Sequence, residues 1–358
     1  KRTQKKLTQE WRELRDIEPG DEVMLHNHRG LSWDGKGEGT YNEGWLVGSL
    51  FGDGTYAGNK AFLDYWGDTR HHMRDHALGL LRRSVKCRSD MAGCEGTLTE
   101  GGVEKTRISS TGLYELAQEY IDFQKGKVLK RWVEERSSGF YKGFLQGWFD
   151  ADGSVQGTQS KGVSVRLTST KLDALYRAQR MLARLGIQSS VYEERRPKEK
   201  QLLPDGKGGR KMYLCEALHE LVIANDNLHE FRDVVGFEDP EKSAQLDKKL
   251  SSYKRAPNKE RFFAEVKSVD PHSTQDVYDC TVEEVHRFDA NGLVAHNCVE
   301  IFLRSMGFCN LTIVVARPGD TLEDLTRKVR RATILGTIQA CATNFKGLRK
   351  EWAENAEL

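Results

Sequence analysis

The sequence lacks a long apolar run, a dense cysteine framework and a strong excess of either charge. No segment approaches the roughly 18 continuous apolar residues of a membrane-spanning helix, which excludes a transmembrane protein. The seven cysteines are scattered and odd in number, which excludes a disulfide scaffold and favours a reducing, cytoplasmic compartment. With 55 Lys and Arg against 53 Asp and Glu, net charge does not identify a partner.

The length of 358 residues exceeds what one compact core usually spans, so we expect two to four units. Basic clusters such as Arg82-Arg83 recur between about residues 70 and 260. They could follow a phosphate backbone, although a solvated surface is the alternative for any single cluster. The chain begins without Met and ends without a natural stop signal, so we expect it to come from the middle of a longer reading frame.

Two segments, residues 44–54 and 143–153, align without gaps. Small residues occupy every fourth position of both copies, namely Gly44, Gly48 and Gly52 in the first and Gly143, Gly147 and Ala151 in the second. This spacing places them on one face of a helix. A glycine face costs intrinsic helix stability but lets two backbones approach closely. The repeat therefore predicts two helices packed on each other.

Each copy ends in Asp-Gly, at Asp53 and Asp152, with the glycine placed as a helix C-cap. Two carboxylates side by side at helix C-termini are disfavoured by the helix dipoles and by each other. A divalent cation relieves both effects. Mg²⁺ takes carboxylate and phosphate oxygens and can assist phosphodiester hydrolysis. The pattern predicts that Asp53 and Asp152 are both metal ligands and catalytic residues.

The repeat resembles the LAGLIDADG homing endonucleases. The second copy matches closely, whereas the first departs at Ser49, Phe51 and Gly52. The resemblance implies the pseudo-symmetric single-chain form, in which two αββαββα halves place curved sheets in the major groove of double-stranded DNA. It also implies Mg²⁺-dependent double-strand cleavage of an allele that lacks the insertion.

The same resemblance implies one catalytic lysine in each half. Lys211, just before the strand-like residues 212–214, is the candidate in the second half, and Lys127 is the candidate in the first. An ordinary surface lysine is the alternative for both. Residues 228–246 resemble the closing helices of the second half.

A different chemistry is indicated near the C-terminus, where residues 277–288 alternate as a strand, 289–292 form a turn and 293–295 form a second strand. His296, Asn297 and Cys298 follow directly. The Asn297 side-chain amide can attack its own carbonyl, forming a succinimide and breaking the 297–298 peptide bond. The Cys298 thiolate is an acyl acceptor, and His296 can transfer a proton at neutral pH.

Residues 277–298 resemble the C-terminal splicing motifs of Hint-fold inteins. In that resemblance Asp279 and His286 assist, His296 is the penultimate histidine, Asn297 cyclises and Cys298 is the first extein residue. Residues 11–25, with their Pro-Gly-Asp turn and strand, resemble the late N-terminal splicing half. The resemblance implies no cofactor for splicing. The first nucleophile would lie upstream, so a missing N-terminal intein segment is expected as a partner in cis or in trans.

Residues 298–358 resemble the catalytic barrel of ribonucleotide reductase large subunits, most like the adenosylcobalamin-dependent class. The resemblance implies that Cys298 and Glu300 carry the radical and acid–base roles and that Cys309 belongs to the redox pair. A helix is predicted over residues 322–352, with Thr321 as its N-cap, and its apolar spacing predicts packing into a core. Adenosylcobalamin is implied only for the complete host enzyme.

The sequence therefore predicts an α+β multi-domain chain. The expected parts are a remnant of the N-terminal Hint half, a linker, an endonuclease with halves at about 43–135 and 136–255, the C-terminal Hint half and a reductase extein, with bounds at 1–29, 30–42, 43–255, 260–297 and 298–358. Two alternatives stay open. One is a free-standing DNA endonuclease with an incidental tail, and the other is a reductase fragment with a non-functional insertion.

Overall fold

The computed structural model describes residues 9–34, 39–85, 105–158, 162–204, 209–253, 257–274, 287–296 and 312–341. The chain divides into two compact units. The larger unit comprises residues 17–269 and 289–294, and the smaller comprises 1–16, 270–288 and 295–358.

Two helices form the centre of the larger unit. Helix α1 (Tyr41–Phe51) begins at a capping box, in which the Thr40 hydroxyl and the Glu43 carboxylate each accept the other residue's backbone N–H. Helix α4 (Ser138–Asp152) begins at Ser137, whose hydroxyl accepts the N–H of Phe140. These caps satisfy N–H groups that would otherwise lack a partner at the start of each helix.

The glycine faces of α1 and α4 lie directly against each other. A Cβ atom on Gly48 would lie 2.1 Å from the Phe144 carbonyl oxygen, and one on Gly147 would lie 2.2 Å from the Trp45 carbonyl oxygen. No side chain fits at those distances, so the close approach requires glycine. The predicted packing of the two repeat helices is confirmed.

After α1, the first half contains β2 (Thr55–Ala57), β3 (Lys60–Trp66), α2 (Arg70–Ser84), β4 (Lys105–Ser110), α3 (Thr111–Tyr120), β5 (Ile121–Asp122), β6 (Val128–Leu129) and a 3-10 turn (Arg131–Glu135). Three of these strands form a sheet in the order β2-β3-β4.

After α4, the second half contains β7 (Gly153–Thr158), β8 (Gly162–Ser169), α5 (Leu172–Arg184), β9 (Ser190–Arg196), β10 (Glu199–Pro204), β11 (Arg210–Cys215), β12 (Leu218–Ala224), α6 (Asn227–Val234) and α7 (Pro240–Ser251). Four of these strands form a sheet in the order β7-β8-β12-β9. Strands β10 and β11 pair only with each other among the described strands.

The second half follows the expected αββαββα order, with the β10–β11 hairpin added between β9 and β12 and a further helix at the end. The first-half sheet β2-β3-β4 corresponds to β7-β8-β12. A counterpart of β9 would fall in residues 86–104, which lie outside the described residues. The mixed helix–sheet architecture is therefore the one that the repeat predicted.

The core lies between the helices and the inner faces of the two sheets. Leu63 and Ile108 of the first sheet, and Val165 and Leu221 of the second, are at most 1% exposed. Burial of each such side chain stabilises the fold by about 1.5–3 kcal/mol. Because side chains alternate along a strand, every second residue of these strands points to the outer face of its sheet.

Strands that precede α1 and strands that follow α7 meet in the larger unit. Strand β1 (Glu22–Met24) pairs antiparallel with β13 (Phe263–Glu265), and Leu25 forms a bridge with Leu293. Leu293 begins β15 (Leu293–His296), which pairs with β14 (Arg287–Ala290). The turn at residues 19–21 and the strand predicted after it are confirmed.

The segment predicted as a linker is anchored where the structure describes it. The Trp33 backbone N–H donates to the Ser138 hydroxyl at 3.1 Å, its indole N–H donates to the Arg136 carbonyl at 2.9 Å, and its ring meets Tyr141 edge-on. The segment predicted as a linker therefore contains one aromatic residue, Trp33, that packs against the start of α4.

The smaller unit contains helix α8 (Leu322–Ala340), which starts at the predicted N-cap Thr321. Its predicted packing into a core is not found, because Leu335 is 58% and Ile338 is 63% exposed. Residues 312–317 have no regular structure. The amphipathic pattern of a helix predicts that its apolar face packs against another surface, but it does not show whether that surface belongs to the same chain.

No described helix is long and apolar enough to span a membrane.

Candidate active site

The two repeat aspartates lie at the ends of the paired helices. Helix α4 ends at Asp152, with Gly153 as its C-cap. Helix α1 ends at Phe51, with Gly52 as its C-cap, so Asp53 lies in the turn beyond the helix. This corrects the expectation that both helices stop at their Asp-Gly. The first-copy departure at Gly52 accounts for the earlier end, since glycine is a weak helix former.

The Asp53 and Asp152 carboxylates act on each other electrostatically. Burial is the main cause that raises the pKa of Asp152, and the negative charge of Asp53 raises it further. A hydrogen bond from the Trp148 indole N–H, 2.9 Å from Asp152 Oδ2, opposes that rise. Two carboxylates that disfavour each other's charge form a site that a cation stabilises.

Lys127 lies at the end of α1. Its ammonium group donates to three carbonyl oxygens there, those of Leu50 (3.1 Å), Gly52 (2.9 Å) and Gly54 (2.7 Å). Leu50 lies in the last turn of α1 and Gly52 is its C-cap, where carbonyl groups lack helical partners. Burial lowers the pKa of Lys127 to about 8, while the charges of Asp152 and Asp53 oppose that shift. The structure thus brings this predicted lysine to the aspartate pair.

Lys242 takes the matching position at the end of α4. Its ammonium group donates to the carbonyl oxygens of Phe149, Asp150 and Ala151. Lys242 comes from the first turn of α7, which Asp239 caps by accepting two backbone N–H groups. Burial lowers the pKa of Lys242, and Asp53 and Asp152 are among the charges that oppose this.

The structure does not place Lys211, the predicted second-half lysine, at the aspartate pair. Lys211 is an exposed residue of β11 in the separate β10–β11 hairpin, and the lysine that reaches the end of α4 is Lys242. A lysine beside a strand was a poor signal because the sequence does not reveal which hairpin leaves the sheet. The Asp239-Pro240 helix start just before Lys242, a helix-initiation pattern, was the better one.

Asp150 is a further buried carboxyl that the repeat did not single out, because its counterpart in the first copy is Phe51. Its Oδ1 accepts the backbone N–H groups of Glu238 (2.9 Å) and Asp239 (3.1 Å). Its Oδ2 accepts the Trp45 indole N–H at 3.1 Å. Burial raises the pKa of Asp150 to about 7. Asp150 therefore ties α4 to the segment that delivers Lys242.

A cavity of about 160 Å³ lies beside the first aspartate and is lined by Asp53, Asp64, Asp150, Asp239 and Lys242 among others. Its lining is rich in carboxylates, and Lys242 contributes a positive charge. The cavity connects the end of the helix pair with Asp64 on strand β3 of the first sheet.

The donor set fits Mg²⁺ better than a metal that needs a complete protein cage. Among the described residues, no group of three or more His, Cys, Asp or Glu side chains could hold a metal ion. Mg²⁺ commonly uses one or two carboxylates and completes its shell with water and substrate phosphate. Asp53 and Asp152 are the two residues at the helix ends that could supply those carboxylates.

His296 is the one predicted splicing residue within the described ranges. It is the last residue of β15, and its ring lies edge-on to Trp11 with centroids 5.0 Å apart. The other residues predicted for splicing and for the reductase lie outside the described residues: Asp279, His286, Asn297, Cys298, Glu300 and Cys309.

Comparison with known proteins identifies the second half. Residues 139–236 match the LAGLIDADG-like domain family, so the chain contains a LAGLIDADG-like domain. Among solved structures, the homing endonuclease I-DmoI in complex with DNA and Mn is 16% identical, with a TM-score of 0.35, over 55% of this chain and 96% of that chain.

Curated relatives carry different enzyme names. The ribonucleoside-diphosphate reductase NrdEB subunit alpha of Bacillus subtilis is 26% identical over 313 residues, which are 82% of this chain and 28% of the relative. The DNA polymerase of Thermococcus litoralis is 26% identical over 260 residues, which are 70% of this chain and 14% of the polymerase. The chain thus spans less than a third of either relative.

Proposed function

We propose that the larger unit is a Mg²⁺-dependent, site-specific double-strand DNA endonuclease. The observation that carries this proposal is the convergence of Asp53 and Asp152 at the ends of two glycine-packed helices, where each end holds a partly buried lysine. The LAGLIDADG-like domain over residues 139–236 supports the same function. The substrate is the intein-free allele of the host gene.

The side chains divide the work of phosphodiester hydrolysis between them. Asp53 and Asp152 would hold Mg²⁺, which when bound stabilises charge on the scissile phosphate during in-line attack. Lys127 and Lys242 place two positive charges beside the carboxylates. The lowered pKa of Lys127, about 8, also brings its proton exchange towards neutral pH, where acid–base assistance is most effective.

Plasmid cleavage tests this proposal. The wild-type chain should linearise a plasmid carrying the intein-free site in Mg²⁺ and leave it intact in EDTA. Asp53→Asn and Asp152→Asn should still bind the DNA but not linearise it. Asp68→Asn, which removes an exposed carboxylate outside the helix pair, is the matched control and should cut normally. Cleavage by both active-site variants would refute the metal-site assignment.

We propose a second function, C-terminal protein splicing, for the segments that flank the endonuclease. The pairing of β1 with β13, and of Leu25 with Leu293, supports the reading of both flanks as one splicing domain that the endonuclease interrupts. The comparisons support an insertion, because similar sequence lies in a reductase and a DNA polymerase while covering only 28% and 14% of them. A module carried by different enzymes explains that distribution.

The proposed splicing step needs no cofactor. The Asn297 side-chain nitrogen attacks the Asn297 carbonyl carbon, the peptide bond to Cys298 breaks, and the Cys298 amine leaves with a proton. His296 would supply that proton, with His286 and Asp279 assisting. Cys298 would accept the upstream acyl group as a thioester before this step.

Release of residues 298–358 tests the splicing proposal. Incubation of the purified chain with thiol across a pH series should yield that fragment in a mass spectrum, together with an upstream product that ends in succinimide. Asn297→Ala should abolish release, whereas Asn310→Ala, a matched change on the extein side, should not. A chain that stays intact throughout while cutting DNA would favour the free-standing endonuclease instead.

Residues 298–358 are proposed to be a fragment of the host ribonucleotide reductase. The exposed apolar residues of α8, among them Leu335 and Ile338, support a larger host fold that would cover them. In that fold Cys298, Glu300 and Cys309 would serve the reductase chemistry, and adenosylcobalamin would bind parts of the host beyond these residues.

A further inference from the structure

The outer face of the first sheet carries a charged pair directly across two strands. On β4, Thr106 and Ile108 are buried while Lys105, Arg107 and Ser109 are only partly buried. Arg107 lies opposite Asp64 of β3 in the antiparallel register. This face is the one that the proposed endonuclease would turn towards DNA, so the following inference rests on that proposed function.

Asp64 engages one side of the Arg107 guanidinium. Arg107 Nε donates to Asp64 Oδ1 and Arg107 Nη2 donates to Asp64 Oδ2, both at 2.7 Å. A guanidinium has five N–H donors in a fixed planar fork. Asp64 therefore occupies the edge of the guanidinium formed by Nε and Nη2. The second N–H of Nη2 and an N–H of Nη1 form the adjacent, end-on edge, which Asp64 does not use.

Two further contacts help to fix the position of Arg107. Its guanidinium lies over the Phe62 ring, 5.2 Å from the centroid, and Lys105 donates to the same Asp64 carboxylate at 3.2 Å. One carboxylate serves two cations, which leaves the face positively charged. The Arg107 side chain nevertheless keeps 39% of its surface exposed. A fixed, exposed arginine loses little conformational freedom when it binds.

We propose that Arg107 reads a guanine in the half-site that the first sheet covers, donating its end-on pair of N–H groups to guanine O6 and N7 while Asp64 acts as its positioning residue. Bidentate contact of arginine with those two acceptors is the commonest base-specific contact in the major groove. Asp64 also lines the cavity that contains Asp53 and Lys242. The guanine therefore lies close to the scissile phosphates rather than at the edge of the target.

The second sheet provides an internal contrast. Arg166 donates through Nε to the Ser164 hydroxyl at 2.9 Å and through Nη1 to Glu220 at 3.0 Å. Glu220 thus accepts from Arg166 Nη1, and among the residues that the structure describes no carboxylate bonds the Nε–Nη2 edge of Arg166 as Asp64 does for Arg107. The preference for a fixed guanine belongs to the first half-site.

Selection of binding sites from a randomised pool of double-stranded DNA tests the inference without a known target. The full chain carrying Asp152→Asn, which should bind without cutting, should enrich one sequence with a dominant guanine in one half-site. Adding Arg107→Ala or Arg107→Lys should lower the preference for that guanine about tenfold or more and leave other positions unchanged. Asp64→Asn should weaken the same preference. Arg131→Ala, which removes a side chain 87% exposed on the 3-10 turn, should preserve the whole pattern.

The outcomes separate this inference from the proposed function. An unchanged guanine preference in folded Arg107→Lys, or a uniform loss at all positions, would overturn the role of Arg107 while leaving the endonuclease intact. Failure of the parent protein to enrich any sequence, together with failure of the wild type to cut, would overturn both. Arg107→Lys keeps the charge and the aliphatic stem, so it decides the case if Arg107→Ala does not fold.

Discussion

At the scale of single residues, the site depends on how closely two backbones approach. Glycines on α1 and α4 let the two helices approach closely, and Asp53 and Asp152 lie at the ends of those helices. The aspartates could be predicted because a gapless repeat marks them. Lys242 and Asp150 could not, because their roles arise from contacts between α7 and α4 that no local spacing encodes.

Substitution of an interface glycine tests the close approach. Gly48→Ala should lower the free energy of unfolding by about 3 kcal/mol or more, because the new Cβ would lie 2.1 Å from the Phe144 carbonyl oxygen. Gly79→Ala is the matched control, since its Cβ would meet only the flexible end of Arg83 at 3.5 Å, and it should stabilise α2 by roughly 0.5–1 kcal/mol. Urea unfolding measures both, and equal effects would contradict the account.

Replacement of the lysines tests their assignment. Lys127→Met and Lys242→Met should each slow DNA cleavage about a hundredfold or more, since each removes a partly buried cation from beside the aspartate pair. Lys211→Met should leave the rate unchanged because Lys211 is exposed on the β10–β11 hairpin. Single-turnover cleavage rates decide the matter, and a large loss from Lys211→Met with none from Lys242→Met would restore the sequence-based prediction.

The buried Asp150 should make stability depend on pH. Burial raises its pKa to about 7, above the roughly 3.9 of an unfolded aspartate. The folded state therefore holds the proton more tightly, and this stabilisation is complete below the unfolded pKa and is lost as pH rises through about 7. Between pH 5 and 8, unfolding free energy should fall in the wild type relative to Asp150→Asn. A constant difference across that range would contradict the raised pKa.

At the scale of elements, the flanking strands are joined across the proposed endonuclease. The strand predicted after the turn at residues 19–21 exists as β1, but its partner β13 lies more than two hundred residues away in sequence. Hydrophobic alternation predicts a strand without naming its partner, so this pairing could not be read from the chain. The added β10–β11 hairpin escaped prediction for the same reason.

Arg29 anchors the N-terminal flank to the second half. It donates to Asp226 at 2.9 Å, to Asn227 at 3.0 Å and to the Gly186 carbonyl at 3.2 Å. Arg29→Ala should lower local stability by about 1–3 kcal/mol and speed amide exchange in β1 more than in α4. Arg15→Ala, which alters a side chain 77% exposed, is the control. Unchanged exchange in β1 would show that Arg29 does not hold the flank.

At the scale of the whole molecule, the chain combines a proposed DNA-cleaving centre with segments proposed for splicing and for a host enzyme. Motif order along the sequence predicts an order of modules, because each motif is local. It was not enough to predict that Trp33 is anchored or that α8 exposes Leu335 and Ile338, since those facts depend on which surfaces meet. The proposed use of one cysteine, Cys298, in both splicing and the host would tie host activity to removal of the insertion.

Strand-resolved cleavage of an end-labelled target tests the central claim, that Asp53 and Asp152 form one shared catalytic centre. The wild type should cut both DNA strands in Mg²⁺. Asp53→Asn and Asp152→Asn should each bind the target but fail to complete a double-strand break, because the two carboxylates hold the metal together. Efficient cutting of both strands by either single variant would contradict the shared centre.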